Sequence, residues 1–107
     1  MAHNERWTVD QRPISQMRNL GPACEKDLNA VGIYKAQQVI DLGPESTFLQ
    51  MLLGRKKLGR SMKCCNAAYL YALHGAIHDL DWREIPESDK SRYKQFTQDL
   101  RESRDWK

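Results

Sequence analysis

The chain has 107 residues, with 17 Lys+Arg against 14 Asp+Glu for a formal net charge of +3, and it is 40% hydrophobic and 29% charged. One compact domain is expected at this length, and with only 6 Gly and 4 Pro the composition excludes collagen-like, low-complexity and disordered classes. A domain of this size buries roughly 60–70% of its unfolded surface, enough for one core but little enclosed space, so no cofactor is expected.

In chain order, residues 1–16 read as an N-terminal extension, 17–101 as a helical domain and 102–107 as a frayed tail. Pro22 and Pro44 each follow a glycine, and proline suits the first position of a helix, where its missing N–H costs nothing. They open helices from Pro22 to about Val31 and from Pro44 to about Leu53, with Gly32 and Gly54 as the stops, since glycine readily takes the left-handed conformation that ends a helix. A short helix over Lys35 to Leu42 lies between them. The two Leu-Gly-Pro triplets share capping chemistry and are too few for a solenoid.

Ser61 is the expected N-cap of the longest helix, Met62 to about Leu80, whose Tyr69, Leu70, Leu73, Ala76, Ile77 and Leu80 form a buried stripe. This is the expected central helix. Gly75 costs about 1 kcal/mol there relative to alanine, which a close crossing by another helix explains. Pro86 opens the last helix, with Tyr93, Phe96 and Leu100 on one face. No segment alternates with period two, so the predicted fold is all-α: about five helices in a small single domain.

The charge is uneven. From Ser46 to His78 there is no acid, while Arg55, Lys56, Lys57, Arg60 and Lys63 place five positive charges in nine positions. Asp79, Asp81, Glu84, Glu87 and Asp89 then stand against the single Arg83. The basic segment reads either as a flexible hinge that neutralises phosphates or as a solvated loop. Met17 to Pro22 before a short helix resembles a helix-hairpin-helix corner, where a helix start offers N–H donors to phosphate through Gly21. Asn19 stands where such corners carry a first glycine, and Pro22 removes one donor; a helix-packing corner is the competing reading.

His74 and His78 share a helical face with Asp81 one turn on, a spacing that permits metal ligation, but no Cys-x-x-Cys completes a site and packing is the expectation. Cys64-Cys65 and Cys24 read as reduced thiols of a cytoplasmic chain, because an odd, partly adjacent cysteine set makes a stapled framework implausible. No apolar run reaches the roughly 18 residues of a membrane span. No nucleophile and base pair up, so an enzyme is not expected.

The stretch Arg18-Asn19-Leu20-Gly21-Pro22, with Glu25-Lys26, Leu28, Val31-Gly32-Ile33 and Asp41-Leu42-Gly43, resembles the TfoX C-terminal domain of the Sxy/TfoX regulators of bacterial competence. Tyr71-Ala72-Leu73-His74-Gly75-Ala76-Ile77 and Trp82-Arg83-Glu84-Ile85-Pro86 continue the resemblance, which runs from about Met17 to Phe96. It implies a small all-α domain with a helix-hairpin-helix-like N-terminal part, similar also to the C-terminal domain of the RNA polymerase α subunit, and it carries over no catalytic residues. The separate N-terminal domain of full-length regulators is expected to be absent.

The expected function is therefore a non-enzymatic accessory domain in transcription or competence regulation. It would contact DNA backbone with low sequence specificity through Gly21, Arg55, Lys56, Lys57, Arg60 and Lys63, with a possible protein partner in the transcription machinery. The alternative is a protein-interaction module, monomeric or weakly self-associating, in which the acidic stretch of one copy meets the basic segment of another.

Overall fold

Both Gly-Pro pairs start helices. α1 spans Pro22–Asn29, α2 Ala36–Leu42 and α3 Pro44–Lys57, and α1 and α3 each carry proline in the first turn. At the entry to α2 the Gln38 side-chain oxygen accepts the backbone N–H groups of Tyr34 and Lys35 at 2.8 and 3.1 Å, which satisfies donors the helix itself leaves open. α4 (Ala67–His78) and α5 (Glu87–Glu102) follow, and short 3-10 turns stand at Ile14–Gln16 and Trp82–Glu84. The structure, a computed structural model, describes residues 9–61 and 65–103. Among these the fold is all-α, with five α-helices and no strand beyond an isolated bridge between Pro13 and Lys35.

The packing begins before Met17. Arg12 and Asp10 carbonyls accept the N–H groups of Ala36 and Gln37, and Ile14 is fully buried in the core with Leu28, Phe48, Leu52 and Tyr93. α3 is the hub, in contact with α1, α2 and α4, while α5 packs on α4. The expected central role of the fourth helix therefore passes to the third.

Glycine explains why. Gly54 is predicted to end its helix, yet α3 runs three residues further, to Lys57, and closes on Gly59 at φ 71. There the N–H of Arg60 bonds the Arg55 carbonyl (2.8 Å) and that of Gly59 the Lys56 carbonyl (3.1 Å), the double closure of a left-handed cap. Gly54 instead marks the crossing of two helices: a Cβ at this position would run into the carbonyl oxygen of Asp27 on α1. Only a residue without a side chain lets the two backbones touch.

α4 is shorter than the predicted Met62–Leu80. Asn66 is its N-cap, accepting the Ala68 N–H at 2.9 Å, and Asp79 in the left-handed conformation (φ 54) is its C-cap. Ser61, the expected cap, lies in the preceding loop. Gly75 is buried, but among the described residues no other helix makes the close crossing expected there. A Cβ there would meet the Asn19 side-chain nitrogen and the Leu80 carbonyl, each at 2.6 Å, so the glycine accommodates the hairpin corner and the helix's own turn.

Two glycines separate packing from conformation. Gly54→Ala is expected to cost about 3 kcal/mol, because backbone rather than a flexible side chain stands in the way. Gly21→Ala, with open space around the new Cβ and φ −123, is expected to stay within about 0.5 kcal/mol. Urea denaturation of both variants checks the contrast, and equal effects would contradict it.

Candidate nucleic-acid interface

The close approach at Gly54 buries a carboxylate. Asp27 is 1% exposed on the inner face of α1, and its two oxygens accept from Arg55 Nη1 at 3.1 Å and from Arg60 Nη1. Arg60 Nη1 also reaches the Ala23 carbonyl at 3.2 Å, and Arg55 Nε donates to the Ser61 carbonyl at 2.8 Å. A charge withdrawn from water needs partners at both oxygens, and two guanidinium forks supply them. The clasp ties the end of α3 and the segment after it to α1, at Ala23 in its first turn and Asp27 in its second.

The predicted basic site is divided by this clasp. Arg55, Lys56 and Lys57 lie in the last turn of α3, not on a flexible hinge, where positive charge favours the negative end of the helix dipole. Arg55 and Arg60 are 13% and 31% exposed and turn toward Asp27. Lys56 and Lys57 are exposed and make no ion pair among the described residues. Lys63 falls outside the described residues. Gly21 is the N-cap of α1 in extended conformation, and no side chain caps that helix. Because Arg60 bonds Ala23, the basic segment and the Gly21 corner meet at the first turn of α1. Asn19, the residue in place of a first glycine, takes φ 69.

The acidic stretch is largely spoken for within the chain. Asp79 pairs with Arg18 (2.9 Å), Asp81 with Arg83 (3.1 Å), Glu87 with Lys90 (3.7 Å) and Asp89 with Arg92 (2.9 Å), while Glu84 accepts the Asp81 N–H. Hydrogen bonds from Arg83 hold the Asp81 carboxyl at about 2.

His74 packs into the core, while His78 stays exposed. The His74 Nδ1 lies 2.7 Å from the Tyr93 hydroxyl, and the His78 ring is tilted at 46° to that of His74 with the ring centres 4.5 Å apart. Arg92 lies over the Tyr93 ring at 5.0 Å and bonds Glu45 and Asp89. Burial, then the neighbouring His78, pushes the His74 pKa below the usual histidine value. Cys24 and Cys65 are half-buried, and the Cys65 thiol faces the Thr97 carbonyl at 3.9 Å. Cys64 falls outside the described residues.

Asp27 escaped the sequence reading, although its place beside Leu28 on a helix with one apolar face was a signal: a carboxylate there needs a cation. Removing it by Asp27→Ala is expected to cost about 3 kcal/mol, since two arginines lose their shared partner. Urea denaturation measures this; a loss below about 0.5 kcal/mol would show the clasp to be idle.

Acid tests the histidine. With its folded pKa depressed, His74 stays neutral while the unfolded chain takes up a proton below about pH 6.5, so stability falls as pH drops through that value. Denaturation between pH 7 and 5.5 is expected to show a shallower decline in His74→Gln, and an unchanged slope would refute the assignment.

A crystal structure of an uncharacterized protein from Listeria monocytogenes is similar at a TM-score of 0.69 and 28% identity, over 84% of this chain and 94% of that one. No curated protein matches. The sequence pattern described as the TfoX C-terminal domain matches residues 10–97, which takes in all four described basic positions, the Gly21 corner and most of α5, and the chain therefore belongs to the TfoX C-terminal domain family.

Proposed function

We propose that this chain is a non-enzymatic TfoX-like accessory domain that contacts the phosphate backbone of DNA, in transcription or competence regulation. The observation that carries the reading is the exposed lysine pair, Lys56 and Lys57, at the end of a helix that the Arg60–Ala23 bond fastens beside the uncapped start of α1. Lysines act as point charges toward phosphate and release counterions without reading bases, so binding is weak and sequence-tolerant. Arg55 and Arg60 serve this surface by holding it in place. Lys63 extends the same run in sequence. A site that relies on charge-driven self-association has less support, because the acids of residues 79–89 already find partners in their own chain.

The division of labour changes the expected salt dependence. Five phosphate contacts would give a slope of log K against log[salt] of roughly −4.5, whereas three lysines give roughly −2.7. Fluorescence anisotropy with a labelled duplex across a salt series is expected to show the shallower slope, and Lys56→Glu/Lys57→Glu to abolish binding. No binding at low salt, or binding unchanged in that variant, would refute the reading.

A further inference from the structure

Between α1 and α4 the surface opens into an apolar furrow of about 360 Å³, floored by Leu20, Met51 and Leu73 and walled by Pro22, Ala23 and Tyr69. A second hollow of about 440 Å³, bordered by Asn19, Ala68, Tyr71 and Ala72, continues it and shares three of its residues. Ala68 and Ala72 stand one helical turn apart, so small side chains line one bank over that length. Tyr69 is 40% exposed, and the buried hydroxyl of Tyr71 has no hydrogen-bond partner among the described residues. None of the described residues lining either hollow is charged.

Positive charge is in excess beside the furrow, although Glu25, which accepts the Ser15 N–H at 2.9 Å, stands in the first turn of α1. Arg60 bonds the carbonyl of Ala23 in its wall, and the Asp27–Arg55–Arg60 trio keeps one positive charge in excess. Lys26 is exposed on α1, and the positive end of that helix opens at Gly21 without a side-chain cap. On the other side, Asp79 is neutralised by Arg18 next to Asn19. An apolar trough with a cationic rim complements an amphipathic helix whose apolar side chains recur one turn apart and whose flanks are acidic. Sugar and phosphate would leave the uncharged floor unfilled.

We infer that this furrow docks an acidic amphipathic helix of a partner protein, beside the lysine pair. The domain then joins a protein to nucleic acid through adjoining surfaces. The probes are a short fluorescein-labelled helical peptide with leucines one turn apart and glutamates elsewhere, and the same peptide with lysines for the glutamates. The full chain is expected to bind the glutamate peptide at least about tenfold more tightly than the lysine peptide.

Ala68→Glu places a carboxylate in the first turn of α4, where the helix dipole favours it, so the fold is kept while the acidic probe is repelled. Tyr69→Ala removes one wall at an exposed position. Each is expected to weaken the glutamate peptide about tenfold, with circular dichroism unchanged. Failure of the glutamate peptide to bind, equal binding of both peptides, or equal binding to both variants and the parent would overturn the inference. If duplex affinity falls in Ala68→Glu while peptide affinity does not, the furrow belongs to nucleic acid and the inference is likewise overturned. Duplex binding by the lysine pair is judged separately, on the Lys56→Glu/Lys57→Glu variant.

Discussion

The contact of α3 with α1 at Gly54 governs the arrangement of the rest. With no Cβ at this position, the α3 backbone lies against the carbonyl of Asp27, and that proximity carries the Asp27 side chain out of water. A buried carboxylate is unfavourable without compensating charge, and the nearest supply is the basic run that continues α3. Arg55 comes from the last turn of α3 and Arg60 from beyond its glycine cap, so the chain must reverse at Gly59 for both to reach one aspartate. The reversal is what lays the segment after α3 along the first turn of α1.

That folding-back sorts the charges by chemistry. The planar, forked guanidinium groups go to the buried acid, and the ammonium groups of Lys56 and Lys57 stay in solvent. In the same way the acidic run after α4 is absorbed by Arg18, Arg83, Lys90 and Arg92. A net charge of +3 therefore understates the order of the surface. Exposed among the described residues are a small cationic face and a trough with an uncharged lining, the two features on which the proposed contacts rest.

The fold class was legible because helical periodicity and the two Gly-Pro starts are local properties: proline at the first turn acts through its own ring and needs no tertiary context. Gly54 and Gly75 were harder to read for the opposite reason. A glycine serves equally as a helix stop and as a place for another backbone to approach, and only the position of Asp27 in space, or of Asn19 and Leu80, decides between them. Ser61 and Asn66 are both good caps in sequence, and the helix begins at the one whose side chain meets the Ala68 N–H. The clustering of the basic residues was legible from the acid-free run, but their division between a buried acid and solvent was not, since arginine and lysine look alike in a count of charges. The furrow left no sequence signal beyond the pair of alanines one turn apart.

The most direct measurement is a nuclear magnetic resonance titration of the isotope-labelled chain with a short DNA duplex, following backbone amides and arginine Nε–H signals together. The account expects shifts at Lys56, Lys57 and the Gly21 corner, with the Arg55 and Arg60 Nε–H signals unmoved because those groups stay on Asp27 and its neighbours. Large shifts of the two arginine signals with a silent lysine pair would contradict it, showing that the clasp opens to meet phosphate.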